Sequence, residues 1–507
     1  MNATSVVRWS DLCREPFRVF FPLAVIFGGI GTGHWLRYAV GYSTSASVLF
    51  HASVQVNLYM GGFIVGFLMT ALPRFTSAPP ATSVELGVML ALFALQAACL
   101  SIGWWVAAES AFVTVLAQVA WFALRRVAQP RRRATPQRFT SQSEAWGVGP
   151  LGGAVLEGRA GCRPQTSRSD VGDTIPEMLR ISRDPTSWGV ERCHRQARGA
   201  PRASGISLPA APGAAQAGPP PEFVWIGVSL GMGLAGAALM MIAQLTGWRN
   251  WWLAMGAPMA QQGLLFSIVL GVGGFLAPRL LGRGFLPANP DGMESAHVAH
   301  ARRQRVQWHA AAAIGLMASF ILEGWGYLQP AYLLRAAIVT AELAWTTQLH
   351  RPPRTPGWFA RLLWISLWML PLGLWTAGLW PRYRVAMLHI SFLGGLSLMT
   401  FVIGTMVTFS HSGASERLQR PMGMLGVVGV ALAVAVASRV AAACVPAVFF
   451  PAIAVAAIAW WIAAAVWLAG CARLLMRPQS PEDVEQTHEA AKRRVLAHAE
   501  PGLSVEK

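Results

Sequence analysis

The sequence predicts an all-α fold, a polytopic membrane helix bundle of about twelve transmembrane helices. Three observations lead there. The 507 residues are 54% hydrophobic and only 13% charged, about half the charge of a soluble domain. Apolar runs long enough to span a bilayer recur along the chain. The loops between those runs alternate between basic and nearly uncharged. Twenty-two tryptophans and 19 methionines also suit a membrane protein with aromatic belts.

The runs cover about 17–37, 54–73, 84–106, 109–125, 223–245, 252–277, 308–328, 330–348, 359–380, 385–410, 422–443 and 447–474. The opening "MNATSVVRWSDLCREPFRVFF" has no cleavage site after a short apolar core, so run 1 is expected to stay as a spanning helix. After runs 2, 4, 6, 8 and 10 come Arg74, the Arg-rich stretch 125–202, Arg279 to Arg305, Arg351 with Arg354, and Arg417 with Arg420. After runs 1, 3, 7 and 11 there is almost no basic charge; Arg249, Arg382 and Arg384 are the exceptions. Positive loops stay inside, so both termini are expected in the cytoplasm. The same pattern accounts for the net charge of +18 without a nucleic-acid partner. The partner that composition implies is the lipid bilayer.

Residues 1–125 therefore hold helices 1–4, and residues 223–477 hold helices 5–12. Between them, 126–222 is rich in Arg, Pro, Gly and Ser, as in "RRRATPQRFTSQSEAWGVGPLGG". Little apolar surface offsets its ordering entropy, so a disordered cytoplasmic loop is expected. Cys162, Cys193 and His194 in it make half the usual ligand set of a zinc site. The six cysteines form no CxxC. The tail 478–507 reads as a cytoplasmic polar helix or coil. One weak repeat stands out: "GFLMTALPRF" (66–75) closes run 2, "GGFLAPRLLG" (273–282) closes run 6, and "GTMVTFSHSG" ends run 10. These runs are four apart, which makes a threefold array of four-helix units conceivable, although Gly, Pro and Arg are common at helix ends.

Six histidines sit in or beside the runs. The expected topology puts His34, His51 and His389 outside, and His309, His350 and His411 inside. Imidazole ligates haem iron and copper, and two histidines from facing helices suffice for a six-coordinate haem. His34 and His350 read as interfacial hydrogen-bonding residues. The intramembrane charges are Glu323, Arg335, Glu342 and Arg439. Such charges are costly, and are paired or functional. Glu323 and Arg335 flank the hairpin "GWGYLQPAYLL" and are expected to pair near the outer surface; Glu342 lies deeper, placed to carry a proton or bind a cation. Gln55, Asn57, Gln96, Gln261 and Gln262 are candidates for hydrogen bonds between helices.

Four segments resemble the NnrS family of bacterial inner-membrane proteins. "EPFRVFFPLA" (15–24) is similar to its opening segment. "FHASVQVNLYMGGFIVGFLMTALPR" (50–74) is similar to its second-helix motif, which starts Trp-His-Ala-His-Glu. "VLGVGGFLAPRLLGR" (269–283) is similar to its sixth-helix motif. "LHISFLGGLSLMTFVIGTMVTFSHSG" (388–413) is similar to its tenth-helix motif, which starts at a His and closes Gly-His-Thr-Gly. His51 and His389 fall on family histidines, and His411 and Gly413 on the closing pattern. Ser53 and Val54 replace the second His and the Glu, and Met406 stands where an Arg is usual. The resemblance implies haem and copper, a link to nitric oxide, and an inner-membrane location. By analogy of architecture it also points to a pseudo-threefold array like that of haem-copper oxidases, with haem histidines on helices 2 and 10.

The expectation is then a haem protein handling nitric oxide or a related nitrogen oxide. His51 and His389 would ligate one b-type haem at the outer face. His309 and His411 would form an inner metal site, with copper. His411 lies about 33 Å along the helix from His389 and cannot reach the same iron. A secondary transporter and a haem-based gas sensor without catalysis are the alternatives; histidines near the surfaces, in place of a charged midplane site, favour metal over transport.

Overall fold

The sequence dictates helices long enough to satisfy every backbone group internally, the one open-chain solution for lipid. A computed structural model describes residues 7–76, 78–128, 220–247, 249–283 and 296–477. All of them belong to one compact unit, and among them no strand occurs. After a short lead-in helix, Trp9–Arg14, eleven helices are long and apolar enough to cross a membrane. They are α1 (Phe17–Ala39), α2 (Val48–Arg74), α3 (Ser83–Ser101), α4 (Trp105–Arg126), α5 (Pro221–Thr246), α6 (Trp251–Leu280), α7 (Ala299–Gly324), α9 (Trp358–Leu379), α10 (Pro381–Ser410), α11 (Gly423–Cys444) and α12 (Pro446–Leu475). The helix expected as the eighth span, α8 (Leu328–Thr346), has 19 residues. That is roughly 28 Å, enough to span. It falls short on apolarity because Arg335 and Glu342 interrupt it, and both are buried. The insert and tail expected at 126–222 and 478–507, with Cys162, Cys193 and His194, lie almost wholly outside the described residues.

The ends follow local rules. The Thr82 side chain caps α3 and Glu85 returns the bond to the Thr82 N–H, a capping box. Proline opens α5, α10 and α12, where its missing N–H costs nothing. Gly413 follows α10 at φ +68°, a left-handed turn that a side chain would strain. Exposed Trp104, Trp325 and Trp380 mark the α3–α4, α7–α8 and α9–α10 turns, as at a headgroup interface.

Three helices lie inside the rest. The most apolar windows of α2, α6 and α10 are 94%, 78% and 61% buried, against 56% or less for the other spans. Around them the outer helices follow one another: α12 packs on α1, α4 on α5, and α8 on α9. The same three carry the only π-helical segments among the described residues: Val54–Met60 in α2, Met259–Gly263 and Val269–Gly273 in α6, and Ile390–Ser397 in α10. A π-turn inserts one residue and re-aims the side chains beside it, often at a functional site. The fourfold spacing seen in the motifs thus recurs in burial and in helical geometry. Close approach is built with small residues: a Cβ on Gly236 would lie 2.4 Å from Ala260 N, so α5 and α6 touch backbone to backbone.

Candidate functional site

His51 and His389 occupy matching places. Each stands just before a π segment of a central helix, at the end where that helix begins. His51 Nδ1 lies 2.9 Å from the Gly31 carbonyl, and His389 Nδ1 lies 2.7 Å from the Val385 carbonyl. A carbonyl only accepts, so each Nδ1 carries the proton and each Nε2 keeps its lone pair. Among the described residues no hydrogen bond reaches either Nε2. This is how metal-binding imidazoles are held, with the far N–H pinned to a backbone oxygen. The two rings are half-buried, and His51 lies within electrostatic range of His389. Arg439 on α11 acts on both. Two neutral, pinned imidazoles from two central helices fit the axial donor set of a b-type haem. His34 sits apart from this role: its Nε2 accepts the Ser47 N–H at 2.7 Å.

His309 and His411 go to separate places. His411 closes a network built from three of the quoted motifs. Its Nδ1 is 2.7 Å from Glu15 Oε1 and its Nε2 is 2.8 Å from Arg74 Nη1. Glu15 also pairs with Arg18 at 2.5 Å and Arg74 at 3.2 Å. Arg18 donates to the carbonyls of Leu474 and Leu475 at 2.7 and 3.0 Å. The network therefore ties the start of α1 and the ends of α2, α10 and α12 together. Both nitrogens of His411 are engaged, which leaves no lone pair for a metal. His309 lies instead between α5, α7 and α8, with Nδ1 2.9 Å from Glu342 Oε2 and Trp225 Nε1 3.3 Å from the same oxygen. His309 and His411 share no partner. Among the described residues no group of three or more His, Cys, Asp or Glu side chains could hold a metal ion.

The Glu15–His411 pair has a pH signature. Burial alone would raise the Glu15 carboxyl, but the His411 hydrogen bond and the Arg18 and Arg74 charges outweigh it and hold its pKa at about 2, below the ordinary 4.5. Burial, then the Arg74 charge, push His411 down to about 4 from 6.5 against the pull of Glu15. The unfolded histidine gains its proton first, so stability falls as pH drops from 6.5 through about 4. The Glu15 contribution, complete above 4.5, is then lost toward about 2. The thermal midpoint in detergent is expected to decline on acidification over both windows. In His411→Gln the upper window flattens and the lower remains; an unchanged slope in the upper window would show that another group titrates there.

Glu323 and Arg335 pair as expected, at 2.8 Å, but not at an exposed hairpin. Arg335 is fully buried and Glu323 is 6% exposed. Arg335 also donates to Gln262 Oε1 at 2.6 Å and Ser319 Oγ at 3.2 Å, and Tyr332 donates to Glu323 at 2.9 Å. Gln262 belongs to the first π segment of α6. The sequence reading missed Glu109. The run expected over 109–125 has Glu109 as its first residue. Helix α4 begins at Trp105, so Glu109 lies a turn inside, 2% exposed. It faces Ser53 and Asn57, the latter in the α2 π segment, and its Oε2 has no hydrogen-bond partner among the described residues. The apolar face Ala108, Phe112, Val115 and Val119, continued back one turn, was the available signal. Gln55 reaches the Gly28 carbonyl at 2.9 Å, whereas neither polar atom of Gln96 finds a partner among the described residues.

A partly open apolar pocket of about 130 Å³ lies among α2, α6, α9 and α10, lined by Met60, Phe63, Leu265, Val269, Leu396 and Met399 among others. Such a lining favours small apolar guests over ions.

Fold and site define a polytopic helical membrane protein with paired histidines at the mouths of its central helices. The chain belongs to the NnrS protein family, whose model it matches over residues 11–141 and 214–479. The unmatched residues 142–213 fall within the insert read at 126–222. No curated protein matches the chain, nor does any solved structure.

Proposed function

We propose that the chain is a haem-holding integral membrane protein of nitric oxide metabolism or nitrosative stress resistance. It would sit in the bacterial inner membrane with both termini in the cytoplasm, and His51 and His389 would be the axial ligands of one b-type haem. The observation that carries this reading is the matched pair of imidazoles. Both are fixed in the tautomer that leaves Nε2 to a metal, and both belong to central helices. Haem iron supplies binding of a diatomic gas and one-electron chemistry. The protein's own part is to fix the ring planes through Gly31 and Val385, to keep the site at the outer end of the bundle, and to offer an apolar pocket among its helices. Membership of a nitric-oxide-linked family supports the choice of gas, and an uncharged apolar cavity suits a small neutral molecule better than an ion. Copper is left out, because the inner histidines do not assemble.

The test is the optical spectrum of the full-length protein purified from membranes of cells supplied with haem. A Soret band with the sharp reduced bands of a six-coordinate haem is expected, perturbed by nitric oxide. Protein that is folded but free of haem would overturn the proposal and return the chain to the transporter reading.

A further inference from the structure

Helix α11 carries one charge, Arg439, about four residues before its outer end. Among the described residues no carboxylate forms a salt bridge with it, and its Nε is sealed from solvent without a hydrogen-bond partner. Among the buried arginines, Arg18, Arg126 and Arg335 each hold a glutamate and Arg283 donates to the Thr347 and Arg351 carbonyls, whereas the Nε of half-buried Arg439 has no acceptor among the described residues. A guanidinium within an apolar helix is costly without an anion. Its surroundings narrow the choice of anion. The first turn of α10, which ends at His389, packs on α11, and the Arg439 charge is felt by His51 and His389 alike. The unpartnered guanidinium therefore lies at the same end of the bundle as the two imidazoles, on a helix that packs against the turn ending at His389 and within electrostatic reach of both rings.

We infer that Arg439 receives a carboxylate of the same cofactor that His51 and His389 hold, which for a haem is a propionate. The inference rests on the haem reading above and adds an anchoring residue to it. A guanidinium fork matches a carboxylate with two parallel hydrogen bonds, which a lysine cannot reproduce. The bond would complete the Arg439 Nε–H side, fix the rotation of the macrocycle about the axis between the two histidines, and neutralise charge on the half-buried face of the site.

The experiment compares the wild-type holoprotein with Arg439→Gln and Arg439→Lys, with His34→Ala as a control. Two quantities are read: the rate of haem release to excess apomyoglobin, and the haem midpoint potential. Losing a charge-assisted bond is expected to speed release roughly tenfold or more in Arg439→Gln. Its potential should fall, because removing a neighbouring cation favours the oxidised iron. Arg439→Lys should keep a near-wild-type potential and release haem at an intermediate rate, which a merely structural role would not produce. A third arm loads wild type and Arg439→Gln with haem dimethyl ester, in which both propionates are blocked. The ester should leave wild type as fast as free haem leaves the glutamine variant, and the variant should no longer distinguish the two. Equal release and potential in wild type and Arg439→Gln would overturn the inference while leaving the histidine assignment intact, and would give the counter-charge to a lipid phosphate at the outer headgroups. A protein that holds no haem overturns both.

Discussion

Replacing either His51 or His389 by alanine is expected to abolish the six-coordinate haem spectrum, with haem content reduced severalfold and the remainder five-coordinate. The effect should be large because each imidazole is already fixed before any ligand arrives. The Gly31 and Val385 carbonyls hold the Nδ1 protons at 2.9 and 2.7 Å, so the ordering entropy of each ring is spent in folding and not in binding. Alanine removes both the donor and that preorganisation. Among the described residues no third histidine stands at this end except His34, whose Nε2 is taken by the Ser47 N–H. His34→Ala is therefore the matched control: it loses one loop hydrogen bond and should keep a wild-type spectrum. The measurement is haem per protein and the reduced-minus-oxidised spectrum of the three variants purified in parallel. Wild-type spectra from both His51→Ala and His389→Ala would remove these residues from the site. Loss in one alone would leave a single axial ligand, and imidazole added to that variant should restore the six-coordinate bands.

The bundle was legible because a membrane span is written in composition: about twenty apolar residues leave few alternatives. The same logic explains the one helix that did not qualify by apolarity. A span that carries Arg335 and Glu342 is possible only when other helices supply partners, and Glu323, Gln262, His309 and Trp225 do so. Partnership across helices is long-range, and hydropathy does not encode it. Position along a helix was legible to a few residues, and that error decided Glu109: at the first residue of a span a carboxylate is unremarkable, while one turn further in it is buried. The π segments were not legible. Each depends on a single inserted residue in a helix whose apolar pattern still reads as regular. Yet they place His51, Asn57, Gln262 and His389 at or beside the re-aimed turns, where a regular apolar pattern hides the irregularity.

The Glu15 network shows the complementary case. Three motifs far apart in the chain meet there: Glu15 and Arg18 come from the first, Arg74 from the second and His411 from the tenth-helix motif. Motif spelling marked the residues, but it did not distinguish a metal ligand from a hydrogen-bonded histidine. The distinction lies in whether both ring nitrogens are used, and only packing determines that. His51 and His389 each have one nitrogen unused; His411 has none.

A second large effect is expected at Glu323 and Arg335. Arg335 is enclosed, with Phe320 and Tyr332 rings 3.9 and 4.7 Å from its guanidinium carbon. Its one counter-charge is Glu323. Glu323→Ala leaves that cation buried without an anion, and breaking a buried pair from one side costs about 3–5 kcal/mol. Removing both charges with Glu323→Ala and Arg335→Met should cost less than Glu323→Ala alone, since the thioether side chain fills much of the space and no ion is stranded. The coupling energy from the double-mutant cycle should then be large and favourable. Glu323→Gln should fall between, because it keeps an acceptor for Tyr332 and for Arg335 but gives up the charge. Unfolding of five proteins in one detergent supplies the numbers: wild type, Glu323→Ala, Arg335→Met, Glu323→Gln and the double variant, at equal detergent-to-protein ratios. If the double variant loses as much as the two single losses summed, the side chains act independently and the pair does not hold α7 and α8 together. If Glu323→Ala alone is nearly silent, water or lipid reaches Arg335, and the burial that makes this network a fixed point of the bundle is absent in the membrane protein.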